Sequence, residues 1–309
     1  MAPHENSLWT FYDLAKKILI KIGLKQHPTS PCIFYGTLIQ GLPPLYLGLY
    51  VDDFYYFSKS PEVETLFESK FGSEISITFN GPVSYFLGIT FTHTKSPSGK
   101  VKIHLSQEAF IDHLLEMTNL QSPTVVTART PYRNGFPVDA IPQLPSQDEP
   151  SKIKHFIQVL IGSLNWLSIS TRPDITTITA MIAKYVSKPN QQYINAAKRV
   201  IKYLKGTKDL GITFSSTSDQ SLEAHVKFPI ADPTTGLADA NWCPQDASKP
   251  KPNSTEQLDL FKSRSISGFL LWFNGPLHWS SQRQHITARS TAEAEIYATD
   301  ECAKYITHL

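Results

Sequence analysis

The sequence predicts an α+β chain: period-two apolar runs crowd its first third, helical spacing governs residues 152–205, and both patterns return beyond residue 223. At 309 residues and 41% apolar content, there is room for two or three separate cores. Residues 9–23 place Phe11, Leu14, Ala15, Ile18, Leu19 and Ile22 on one side of a helix, with Lys16, Lys17 and Lys21 between them and Gly23 closing it. The run Leu45-Tyr46-Leu47-Gly48-Leu49-Tyr50-Val51 then alternates as a half-buried strand does. Asp52 and Asp53 follow, and Phe54-Tyr55-Tyr56-Phe57 starts a second strand at once, so the reading is a hairpin with acid at its tip.

Further along, Ser60 is an N-cap with Pro61 in the first helical turn. Strands are expected near residues 75–79 and 85–92, and the Ser96-Pro97-Ser98-Gly99 turn leads into another at 101–105, followed by a helix from Ser106 to about Asn119. Pro123, Pro131, Pro137, Pro142, Pro145 and Pro150 deny residues 121–150 regular structure, which marks a linker. Beyond it the pattern gives three helices, at 152–170, 174–187 and 191–205, broken at Arg172-Pro173 and Lys188-Pro189. From about Glu223 strands return, and Ser290 with Glu293 three residues later is a capping box that opens a last helix.

Composition removes several classes of function. A net charge of +2 is not that of a strongly basic chain, so nucleic-acid binding has to come from local patches. Cys32, Cys243 and Cys302 lie far apart and form neither a CxxC pair nor a disulfide framework, which suits a reducing compartment. The ten histidines show no zinc spacing. No segment approaches the roughly twenty apolar residues of a membrane span. The opening Met1-Ala2-Pro3-His4-Glu5-Asn6 lacks a signal peptide's basic and apolar regions, so the expectation is an intracellular protein with no membrane partner.

Two features carry chemistry. Paired carboxylates on a strand-turn-strand suit a hard divalent cation such as Mg²⁺, which takes oxygen ligands and often only one or two protein carboxylates; the plain alternative is that aspartate is a common turn residue. Successive strand residues point to opposite faces, so Asp52 and Asp53 share an ion only if the turn bends them together, and Asp52 ranks first as a ligand. On the third helix, Lys198, Lys202 and Lys205 fall on one face with Arg199 beside them, opposite Ala197, Val200, Ile201 and Leu204. Such a stripe tracks phosphates, or is an ordinary solvated face.

The string Tyr50-Val51-Asp52-Asp53 resembles the catalytic hairpin of reverse transcriptases, specifically the copia-type retrotransposon polymerases. Phe86-Leu87-Gly88-Ile89, Leu105-Ser106-Gln107, Ile161-Gly162-Ser163-Leu164, Thr171-Arg172-Pro173-Asp174-Ile175 and Tyr203-Leu204-Lys205-Gly206-Thr207 are similar to further family markers, in the family's order. Leu237-Ala238-Asp239-Ala240-Asn241-Trp242 resembles the first catalytic strand of the family's ribonuclease H domain. Arg264-Ser265-Ile266-Ser267-Gly268 and His278-Trp279-Ser280-Ser281 resemble its next strands, and Ser290-Thr291-Ala292-Glu293-Ala294-Glu295 the opening of its first helix.

The resemblance implies a partial reverse transcriptase palm over residues 1–120, the linker at 121–150, a helical thumb or connection at 151–222, and a partial ribonuclease H-like α/β domain at 223–309. It implies RNA-directed DNA synthesis and hybrid cleavage with Mg²⁺ or Mn²⁺, held by Asp52, Asp53, Asp239 and Glu295. Its partners would be an RNA template, a DNA primer, an RNA:DNA hybrid and deoxynucleotides, in a cytoplasmic virus-like particle or the nucleus. Glu293 has its capping role, which leaves Glu295 to match the catalytic glutamate. Departures are Asn241, where the family has a second aspartate, and an inserted polar loop at 244–262. No strand aspartate precedes Tyr50, since Asp13 sits on the opening helix, and no aspartate follows that helix before Leu309. Two metal ions need several carboxylates, so each site is expected to be half complete and the chain inactive alone. Part of an active polymerase, a decayed copy and a retained nucleic-acid-binding module all remain open readings.

Overall fold

The computed structural model describes residues 3–97, 99–132, 151–184, 186, 191–216, 234–241 and 264–307. The backbone divides into two compact units, Met1–Phe86 and Leu87–Leu309. In the first, α1 (Pro3–Ile22) ends where Gly23 takes φ 113°, a left-handed value that glycine adopts without strain. The N–H of Leu24 reaches back to Leu19 O at 3.0 Å and that of Gly23 to Ile20 O at 3.0 Å, which together satisfy the last helical carbonyls.

Four antiparallel strands follow in the order β1 (Lys25–Gln26), β2 (Ile33–Gly36), β3 (Leu45–Tyr50) and β4 (Asp53–Phe57). The alternation in β3 is realised: Leu45, Leu47 and Leu49 are buried while Tyr46 and Tyr50 are exposed. Val63, Phe67 and Phe71 of α2 (Pro61–Glu74) join Ala15, Ile18 and Leu19 of α1 to cover the buried face. Residues 75–79, expected as a strand, form none. Ile75, Ile77 and Phe79 still pack against this core, so their alternation reflects a chain running along an apolar surface without a pairing partner. A two-residue strand, β5 (Tyr85–Phe86), closes the unit.

The second unit opens with a sheet in which β7 (Val101–Ser106) lies between β6 (Ile89–Lys95) and β8 (Ile212–Ser215), antiparallel to both. That β7–β8 pairing ties residues 89–106 to the chain following the helices, so the boundary between units falls at residue 86, within the stretch grouped with the palm by sequence. The helical core is built by α3 (Glu108–Met117), α4 (Ser151–Ser170), α5 (Thr176–Ala183) and α6 (Gln191–Lys205), with Leu114, Leu164, Ile178, Val200 and Leu204 fully buried. The helix expected at 174–187 is shorter, because Pro173–Ile175 form a 3-10 turn before α5 begins. Residues 133–150 of the proline-rich linker lie outside the described residues, as do Lys188-Pro189 and the polar insertion at 244–262.

Last come β9 (Thr234–Asn241), β10 (Ile266–Phe273), β11 (Pro276–Arg283) and α7 (Thr291–Ile306). The central strand is β10, antiparallel to both neighbours, and Phe269 and Leu271 pack with Cys302 of α7. The indole N–H of Trp279 donates to Ser168 O at 2.6 Å, joining β11 to the end of α4. These antiparallel sheets and covering helices make the chain α+β. Among the described residues, no helix is long and apolar enough to cross a membrane.

Candidate active site

Tyr50 pairs with Asp53 across the hairpin, leaving Val51 and Asp52 as a two-residue turn. Both aspartates are exposed. Val51 has φ 54°, in the left-handed region where a β-branched side chain is strained by about 1–3 kcal/mol. The surrounding structure holds it there. Leu45, Leu47 and Leu49 anchor one arm, and Phe54 of the other meets Phe67, Phe71 and Phe79 with ring centroids 6.2, 5.4 and 6.1 Å apart. The Ser58 N–H donates to the Glu64 carboxylate at 2.8 Å, fixing the exit of β4 onto α2. Burial, and then the hydrogen bond it donates to Glu68, push the Tyr56 phenol well above its ordinary range, so it stays protonated as a donor. The tip therefore presents two hard carboxylates on a rigid support.

The other two candidate acids lie on β9 and α7. A Cβ on Gly236 would lie 2.6 Å from Cys302 Sγ, and Ala238 packs against the Phe269, Leu271 and Cys302 cluster, so alternate residues 236 and 238 face α7. Asp239 and Asn241 consequently share the opposite face, where Asp239 is exposed and registers against Gly268. Glu295, in the second turn of α7, accepts the Ala240 N–H at 3.1 Å. The glutamate thus reaches the β9 backbone beside Asp239 from the α7 side, whereas the Asp239 side chain is on the face turned away from α7. Glu293 has another job: its N–H donates to Ser290 Oγ at 3.1 Å and its carboxylate accepts the Arg289 N–H at 2.6 Å.

Oxygen donors in exposed pairs fit Mg²⁺ or Mn²⁺ in kind, since these ions keep much of their shell for water and phosphate. Among the described residues, no group of three or more His, Cys, Asp or Glu side chains is placed to hold a metal.

The basic stripe is divided in role. Lys198 is exposed and Lys202 half-buried, but the Lys205 ammonium donates to Ser122 O at 2.5 Å and Val125 O at 3.1 Å. Arg199 donates to Thr130 Oγ1 at 2.9 Å. Those two side chains fasten residues 122–130 to α6.

A polar cluster that the sequence did not reveal lies behind the stripe. Arg172, 1% exposed, donates to both oxygens of Asp174 at 2.9 and 2.7 Å, to Thr207 O and to Thr207 Oγ1. Its guanidinium carbon is 5.5 Å from the Tyr203 ring centre, and the Tyr203 hydroxyl donates to Asp174 at 2.7 Å. Thr171 beside it donates to the buried Gln107 side chain at 2.8 Å. Burial raises the Asp174 pKa, but the Arg172 hydrogen bond and charge, with the Tyr203 hydroxyl, outweigh it and hold the carboxyl below its usual range. Three motifs separated in sequence are therefore one network.

The chain is 25% identical over 291 residues to the retrovirus-related Pol polyprotein from transposon RE1 of Arabidopsis thaliana, covering 92% of this chain and 17% of that protein. It is 24% identical over 279 residues to the Pol polyprotein from transposon TNT 1-94 of Nicotiana tabacum, covering 89% of this chain and 18% of that one. An uncharacterized mitochondrial protein of Arabidopsis thaliana, AtMg00810, is 25% identical over 256 residues, covering 82% of this chain and 90% of its own. No family model and no solved structure matches. The chain spans about a sixth of the length of the two Pol polyproteins. Over nearly its whole length, the chain is thus similar to part of the retrovirus-related Pol polyproteins of transposons.

Proposed function

We propose that the chain carries the acidic hairpin of a reverse transcriptase palm, a helical thumb or connection, and the opening of a ribonuclease H-like domain, whose reaction is RNA-directed DNA synthesis. The observation that carries this reading is the hairpin itself, with two exposed carboxylates at a turn held in strained backbone by an aromatic core. Asp52, in the turn, is the better placed ligand; Asp53 lies in strand register beside Tyr50 and supports the same ion from the sheet side. Bound there, Mg²⁺ or Mn²⁺ would stabilise charge on the phosphoryl group and the attacking hydroxyl. Asp239 and Glu295 would do the same at the second site for an RNA:DNA hybrid. Lys198 and Lys202 supply a sequence-independent hold on the phosphate backbone.

A two-ion cage needs more carboxylates than either pair has, and positioning with electrostatic stabilisation carries nearly all of phosphoryl-transfer catalysis. The 309-residue chain is therefore expected to give no cDNA and no hybrid cleavage by itself in Mg²⁺ or Mn²⁺. Fusing the preceding palm segment of a related Pol polyprotein should restore primer extension on an RNA template, and Asp52→Asn should abolish it. Extension that survives Asp52→Asn would overturn the assignment. A second reading, a nucleic-acid-binding remnant, rests on the same scarcity of acids and would show salt-sensitive binding with no dependence on Mg²⁺.

A further inference from the structure

The sheet of the first unit has one face covered by α1 and α2, on which Phe34, Leu45, Leu47 and Leu49 are buried. Residues paired across antiparallel strands share a face, so the register gives the composition of the other. One row crosses all four strands: Lys25 pairs with Tyr35, Tyr35 with Tyr46, and Tyr46 with Phe57. The next row is Ile33, Gly48 and Tyr55, and the last is Tyr50 with Asp53. This open face is thus mainly aromatic, with a cation at one end and the hairpin acids at the other. Tyr46, Phe57 and Tyr50 are 44%, 46% and 55% exposed. Tyr46 and Phe57 stack at 5.2 Å with planes 18° apart, and the His27 ring lies 6.2 Å from Tyr35.

We propose that this face is a stacking platform for the unpaired bases of a single nucleic-acid strand. Every base has a π-face, so exposed rings hold it whatever the sequence. Gly48 leaves the middle of the platform low, since a Cβ there would meet only Ile33 Cδ1 at 3.7 Å, and a flat ring can approach the backbone. Lys25 meets a phosphate at the end of the first row, on the edge strand away from the hairpin acids Asp52 and Asp53. Duplex bases are already stacked on one another and offer no free face, so the ligand is single-stranded. Phe57 is four residues from Asp53, about 13 Å along β4. A strand on the platform therefore lies a few nucleotides from the acidic tip. The proposal rests on the polymerase reading for its ligand class, yet its test needs no metal.

The experiment titrates the full chain into a short thymidine oligonucleotide carrying one 2-aminopurine, in EDTA, reading anisotropy and base fluorescence. Tyr46→Leu and Phe57→Leu keep an apolar side chain and lose the ring. Each should weaken binding at least fivefold and reduce the fluorescence quenching, whereas Tyr46→Phe should retain both. Lys25→Gln should flatten the plot of log affinity against log salt by about 0.7. Unchanged affinity in both leucine variants, with circular dichroism confirming the fold, would overturn the platform. So would an aromatic-dependent dimer in sedimentation with no oligonucleotide bound. Divalent-ion binding at Asp52 is measured without nucleic acid, so that reading and this one fail separately.

Discussion

Val51 and Arg172 illustrate how single residues in this chain trade local strain or charge burial for geometry. A valine at φ 54° sits where asparagine is tolerated, so Val51→Asn should stabilise the first unit by about 1 kcal/mol in denaturant unfolding. A loss of stability instead would mean that the valine makes contacts outweighing its backbone strain. Arg172 is buried and depends on Asp174, whose own side chain is 32% exposed. Asp174→Ala should cost about 3 kcal/mol, the lower end for breaking a buried pair, because solvent still reaches the carboxylate. The sign of its pH dependence is fixed. A carboxyl held below its ordinary value stabilises the fold fully above the unfolded pKa of about 3.9, and that contribution is lost as pH falls through the folded value. Below about pH 4 the unmodified chain should therefore lose stability more steeply than Asp174→Asn, as followed by thermal melts. The turn position of Asp52 and the capping contact of Glu293 were open to sequence reasoning because turns and caps are local. The Arg172 network was not, since Gln107, Asp174 and Thr207 meet only after three elements pack.

Elements show the same division between local and distant causes. The helix ends at Gly23 and Ser290 were legible, as both are decided by a few adjacent residues. Residues 75–79 misled because period two records burial on one side, and pairing needs a partner strand that periodicity does not supply. The stripe on α6 was read from spacing alone, which could not foresee that Lys205 would bind the carbonyls of Ser122 and Val125. Each phosphate neutralised contributes about −0.9 to the slope of log affinity against log salt on B-form DNA. Changing Lys198 and Lys202 together to Gln should then flatten that slope by about 1.8, and adding Lys205→Gln should change it little further. A third equal step would return Lys205 to the phosphate contacts. Gly211 is a structural counterpart: a Cβ there would lie 2.0 Å from Leu105 O, against the strand that pairs with β8. Gly211→Ala should destabilise by about 1–3 kcal/mol and speed hydrogen exchange at the paired residues of β7 and β8.

At the scale of the whole molecule, the α+β class and the similarity to transposon Pol polyproteins were legible because apolar periodicity and short motifs run along most of the chain, even though identity to those relatives is low. The division at residue 86 was less so, because a strand pair between residues 102–105 and 212–215 is a long-range event. Asp52 in its turn and Asp239 on β9 are each exposed beside a packed core, which is how a rigid scaffold positions carboxylates. The proposed divalent-ion seat is the Val51–Asp53 tip, with Asp52 as its principal ligand. It is tested most directly by adding Mn²⁺ to isotope-labelled protein and following paramagnetic broadening of backbone amide signals, with isothermal titration alongside. Selective broadening is expected around Tyr50, Val51, Asp52 and Asp53, greatly reduced in Asp52→Asn and less reduced in Asp53→Asn. Broadening that is absent from the tip, or that only Asp53→Asn removes, would contradict it.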